Sequence, residues 1–236
     1  MNTDMFVAGA IGLAPALALM YWTLRDYTYP AVEKPFFDDR KVFGLLAVGL
    51  VLGVALFAVQ QAFDVAFVLI ALLFAVLYEV VKLVVLNLKR FAGKLDTPFY
   101  GLTIGLGMGG AVGFGYAWST ILSYAAGGFV PDLRDYLILI VLAIGLCLLN
   151  GSTGAIIGMG VTKGQPFGFF ANALLVHLAY NLVMIAFFTE GGSWIGYLGL
   201  ALATAIAAYS YYRVHFQALP ALVKEGLRRY ESRPRN

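Results

Sequence analysis

Charge is scarce in this chain of 236 residues: 12% are charged, against 61% hydrophobic. A water-soluble domain carries about 25% charged residues. There is too little polar surface here to cover a soluble globule, and a mean hydropathy of +0.83 agrees. A soluble enzyme, a disordered chain and a nucleic-acid-binding domain are excluded. Cysteine is scarcer still. Cys147 stands alone, so an intrachain disulfide and a thiolate metal cluster are excluded. Histidine is limited to His177 and His215. A catalytic zinc site wants three His, Asp or Glu ligands at one depth. No metal is expected, and no cofactor is implied. Glycine is plentiful, with 27 residues, but the glycines sit inside apolar runs without a three-residue period, which excludes a collagen-like chain.

A spanning helix needs about 20 mostly apolar residues. Seven runs qualify, over 5–22, 42–60, 63–88, 98–125, 135–161, 167–189 and 193–212. The first lacks a basic leader and a cleavage site, so it reads as a retained helix and not a signal peptide. Basic residues set the orientation. Arg25, Lys34, Arg40, Lys41, Lys89, Arg90, Lys94, Lys163, Arg213, Lys224, Arg228, Arg229, Arg233 and Arg235 fall on one side of a seven-span topology. Only Arg134 falls on the other, and Lys82 lies within a span. The positive-inside rule puts the N-terminus outside and the C-terminus in the cytoplasm. The expected fold is therefore an all-α polytopic membrane protein. One transmembrane domain covers 1–213, and a basic cytoplasmic tail covers 214–236. The tail carries a surface helix over 219–230 near anionic lipid. The setting is a lipid bilayer, expected to be a prokaryotic plasma membrane.

Lipid does not press helices together; close backbone approach does, and small residues permit it. Span four carries Gly101, Gly105, Gly109 and Gly113 at spacing four. Gly49 with Gly53, and Gly154 with Gly158, repeat that spacing. Span four is expected to be central.

An ionisable group in hydrocarbon costs about 2.5–3.5 kcal/mol or more, so it needs a partner or a role. Glu79 and Lys82 share a face of span three, and His177 and Asn181 share one of span six. Asn150, Ser152 and Thr153 lie in span five. At about 1.5 Å per residue, Glu79, His177 and Asn150 lie roughly 13–17 Å from the basic boundary. Three spans thus bring polar groups to one level, either as a site or as a hydrogen-bonded network. Asp64, Asp96, Asp132 and Asp135 lie near span ends. The last span has no lysine for a retinal Schiff base. No Gly-x-Ser-x-Gly nucleophile and no Tyr-Asp plus Gly-x-Gly-Asp aspartyl pair occur. Carboxylate, imidazole and amide remain, a set suited to activating water and holding an oxyanion.

These residues resemble the PrsW family of glutamic-type intramembrane proteases, relatives of the CAAX prenyl endopeptidases and Abi proteins. Tyr78-Glu79-Val80-Val81-Lys82 resembles its Glu-Glu-x-x-Lys motif. Arg25-Asp26-Tyr27 and Glu33-Lys34-Pro35 are similar to its Asp plus Glu-Pro loop. The glycine-rich stretch from Tyr100 to Gly107, with Tyr116, is similar to its next motif. Asn150-Gly151-Ser152-Thr153-Gly154 resembles its His-x-x-Thr-Gly segment, and His177 with Asn181 its closing His-x-x-x-Asn. The departures are chemical. Tyr78 stands for the first glutamate, Val112 and Gly113 for a Glu-Asn pair, and Asn150 for a histidine. A phenol with pKa about 10 is no general base at neutral pH.

The resemblance implies the fold and two functions. One is a non-catalytic scaffold or substrate-binding subunit, as in the seven-span subunit of γ-secretase. There Tyr78, Glu79, Lys82, Asn150, Thr153 and His177 form a supporting polar network. The other is an active endopeptidase with Glu79 as general base and His177 and Asn181 holding water and oxyanion. Other membrane proteins would be complex partners or substrates. The position of Glu79 relative to His177, Asn150 and any cavity bears on which applies.

Overall fold

The computed structural model describes residues 3–33, 35–63 and 67–231. Lys34, Asp64, Arg233 and Arg235 lie outside the described residues. Each of the seven apolar runs carries a helix: α1 (Thr3–Leu24), α2 (Asp39–Gln60), α3 (Val68–Leu86), α4 (Thr97–Ala126), α5 (Leu133–Thr162), α6 (Pro166–Glu190) and α7 (Trp194–Arg213). A π-helical segment, Val214–Ala218, runs on into α8 (Leu219–Glu231). All described elements are helical.

Six of these helices are long and apolar enough to cross a membrane: α1, α2, α3, α5, α6 and α7. The chain is a polytopic helical membrane protein in contact with lipid. Helix α4 is not among the six although it has 30 residues. Seven of those are glycine, which adds almost nothing to hydropathy. It is also buried without a break from Thr97 to Gly113. A helix met by protein on every side has no need of a lipid-facing surface.

Local chemistry explains the helix ends. The Asp38 carboxylate accepts from the Arg40 N–H at 3.0 Å and caps α2. Asp132 and Asp135 form a reciprocal capping box at the start of α5, which satisfies two otherwise orphan N–H groups. Gly164, at φ +70°, turns the chain between α5 and α6, a backbone region where a side chain is strained. Pro166 then opens α6, where its missing N–H is not needed.

Glycines set the core spacing. A Cβ on Gly101 would strike the Gly154 carbonyl, and one on Gly154 would strike that of Gly101. Gly105 lies against the Asn150 carbonyl, and Gly109 lies 2.5 Å (from an added Cβ) from that of Leu146. Gly113 faces the Ala143 side chain. The Gly101, Gly105, Gly109 and Gly113 stripe thus seats α4 directly on α5. On its other sides α4 meets α2 through Gly49 and Gly53, and α1 through Gly12. Beyond α7 the chain packs back on the bundle. Leu219, Leu222 and Val223 of α8 are buried, because Gly226 lets the helix pack on Leu95.

Gly105→Ala tests this spacing. Alanine gains roughly 1 kcal/mol of helix propensity over glycine, and overpacking against fixed backbone costs about 1–3 kcal/mol or more. The clash is expected to win and lower the thermal midpoint in detergent. Gly44→Ala, with nothing within 4 Å of the added carbon, is expected to hold or raise it. Equal midpoints for the two variants would contradict the account.

Candidate functional site

The close α4–α5 contact brings Asn150 and Thr153, one turn apart on α5, to face α3. There Glu79 and Lys82 sit one turn apart, both fully buried. The Lys82 ammonium donates to Glu79 Oε1 at 2.6 Å, to Thr153 Oγ1 at 2.6 Å and to Asn150 Oδ1 at 3.2 Å. A lysine has three donors and no acceptor, so its capacity is used completely. The acceptors are themselves oriented. Asn150 Nδ2 donates to the Leu146 carbonyl at 3.1 Å, which turns Oδ1 toward the lysine. Thr153 Oγ1 donates to the Leu149 carbonyl at 3.0 Å, leaving a lone pair for Lys82.

Helix α6 closes the other side. His177 Nδ1 lies 2.6 Å from the same Glu79 Oε1. With the carboxylate ionised against Lys82, Nδ1–H is the donor. The tautomer that results carries its lone pair on Nε2. One carboxylate oxygen thus receives two hydrogen bonds from two helices, while Oε2 has no partner among the described residues. The Tyr78 ring lies 5.7 Å from the His177 ring, and its hydroxyl has no partner among the described residues.

Asn181, one turn beyond His177, does not join the ion pair. Its Nδ2 donates to the Ala71 carbonyl at 2.8 Å and ties α6 to α3. Five of the residues singled out from the sequence (Glu79, Lys82, Asn150, Thr153 and His177) therefore meet in one network. Tyr78 and Asn181 flank it.

A cavity of about 50 Å³ lies beside the network, lined by Tyr78, Val112, Asn150, His177, Tyr180 and Asn181 among others. Room for a water needs only about 10–15 Å³, together with polar partners, so the cavity suits a few waters and not a peptide. Glu79 does not line it. A second cavity of about 500 Å³ carries Arg134 and Asp135 and shares Tyr116, Leu142 and Phe188 with the first. The Tyr116 and Phe188 rings stack at 5.7 Å between the two.

Sequence reasoning missed several participants. Gln60 donates to the Tyr116 hydroxyl at 2.9 Å. A separate cluster joins Thr23 Oγ1, 2.6 Å from the Tyr211 hydroxyl, to His215 Nδ1 at 3.1 Å, beneath the Trp22 ring. Ser210 donates to Ser152 at 2.9 Å. Hydroxyls and aromatics near span ends are commonplace, so nothing in the sequence set these apart. Among the described residues no group of three His, Cys, Asp or Glu could hold a metal ion. No family model, no curated protein and no solved structure matches this chain.

The pairing can be measured. Lys82→Met leaves the Glu79 charge buried without its main partner and is expected to cost about 3–5 kcal/mol of stability. The double variant Glu79→Gln with Lys82→Met removes both charges and is expected to recover most of that loss in equilibrium unfolding. Additive losses would show that the two side chains act independently.

Proposed function

We propose that this chain is a PrsW-like multi-pass membrane protein without protease activity, serving as a membrane scaffold or substrate-binding subunit. It crosses the bilayer seven times, with α4 as the sheathed central span. Its N-terminus is outside and its C-terminus cytoplasmic, as the distribution of basic residues supports. A prokaryotic plasma membrane is the setting.

The observation that carries this reading is the engagement of Glu79. Its Oε1 is held by both Lys82 and His177, the side chain is fully buried, and it is walled off from the cavity. A general base must come within hydrogen-bond reach of the proton it takes, directly or through one water. Glu79 as it stands serves instead to hold α3 against α6 while Lys82 holds α3 against α5. The Asn181 amide likewise gives one of its two N–H donors to the Ala71 carbonyl and so to helix packing.

One observation favours the second reading, an active intramembrane endopeptidase. His177 does line the cavity, beside Asn150 and Asn181. In that case Glu79 orients the imidazole and His177 takes the proton from water, the division of labour of a carboxylate–histidine pair.

Purification from its own membrane in mild detergent separates the two. The scaffold reading predicts a stoichiometric complex with another membrane protein and no hydrolysis of intramembrane peptide substrates. A monodisperse monomer whose cleavage of a reconstituted substrate disappears in Glu79→Gln would overturn it.

A further inference from the structure

Another cavity lies away from the ion-pair network, at the basic end of the bundle. It has a volume of about 540 Å³ and is bounded by α5, α6, α7, the π-helical segment and α8. That volume falls within the roughly 300–1,000 Å³ typical of small-molecule sites. Its floor is apolar, built from Ile156, Val176, Ile206 and Leu222. Its rim is polar and carries Lys163 and Arg213. The two cations differ. Lys163 lies 3.8 Å from Glu225 across the mouth. Arg213 donates to the Tyr209 hydroxyl at 3.3 Å and has no carboxylate within ion-pair distance among the described residues. The rim amides of Asn172 and Gln217 can donate to a phosphoryl oxygen.

A long apolar slot beneath a cationic rim, at the level where a bundle leaves the hydrocarbon, matches one ligand chemistry. Basic pockets between transmembrane helices accept anionic lipid headgroups. We propose that this cavity binds one anionic phospholipid, with an acyl chain along the Ile156–Ile206 floor and its phosphate against Arg213. The π-helical segment makes this possible. It carries the chain from α7 into α8 without a break, so that Leu222 closes the floor while Arg213 stays at the rim. The site stands independently of any protease-like reading of the chain.

Native mass spectrometry of the full chain, delipidated in detergent, tests it. Dioleoyl-phosphatidylglycerol and dioleoyl-phosphatidylcholine are added in equal amounts. One phosphatidylglycerol per chain is expected to be retained in preference to phosphatidylcholine. Arg213→Gln is expected to weaken phosphatidylglycerol retention about fivefold, the effect of one cation near a lipid surface, and to weaken phosphatidylcholine less, because its choline cation already offsets the phosphate charge, so that the preference shrinks. Arg213→Lys is expected to keep most of the preference. Ala221→Phe, at an exposed position of α8 that lines the cavity, is expected to displace the lipid without disturbing α7. Millimolar inorganic phosphate is expected not to compete. Equal retention of the two lipids, an unaltered preference in Arg213→Gln, or displacement by phosphate alone would each overturn the proposal.

Discussion

A lysine ammonium with no access to solvent is the constraint around which the rest of this molecule is arranged. Taking such a charge out of water costs several kcal/mol even after relaxation. Lys82 offsets that cost with a counter-charge and two neutral acceptors, one for each of its protons. Both neutral acceptors come from α5, and the counter-charge, on α3, is shared with a histidine from α6. Removing any one group leaves another unsatisfied in an apolar surround, where the penalty for an unmade hydrogen bond is high. The network therefore specifies the relative depth of α3, α5 and α6, which non-directional apolar contacts in lipid specify poorly.

The glycines make that geometry reachable. Asn150 approaches Lys82 from a helix whose own backbone rests on Gly105 of α4. Any side chain at 105 would push α5 away and lengthen the contacts from Asn150 and Thr153. Close packing and buried charge are thus two aspects of one arrangement. The bare faces of α4 fix where α5 stands, and α5 presents the acceptors that make a buried lysine tolerable.

Much of this was legible in the residues. Runs of apolar residues marked the seven helices, since length and hydropathy alone distinguish a 20-residue buried helix from a loop. The i,i+3 spacing of Glu79 and Lys82 announced a pair, and the similar depth of Asn150 and His177 suggested that they would join it. What spacing does not reveal is which oxygen each donor selects. That Glu79 is shut away from the cavity while His177 lines it depends on side-chain direction and on the Tyr78 ring packed beside them. Helix α8 was also hard to read. Its charged residues suggested a basic surface helix, whereas Leu219, Leu222 and Val223 turn inward and Leu222 closes a cavity that no local pattern implied.

Infrared difference spectroscopy on isotope-labelled glutamate, wild type minus Glu79→Gln in lipid nanodiscs, tests the central claim most directly. An ion pair with Lys82 predicts that the band lost at neutral pH is that of an ionised carboxylate. Loss of a protonated carboxyl carbonyl band instead would mean that Glu79 is neutral. The helices would then be held by ordinary hydrogen bonds, without a buried ion pair.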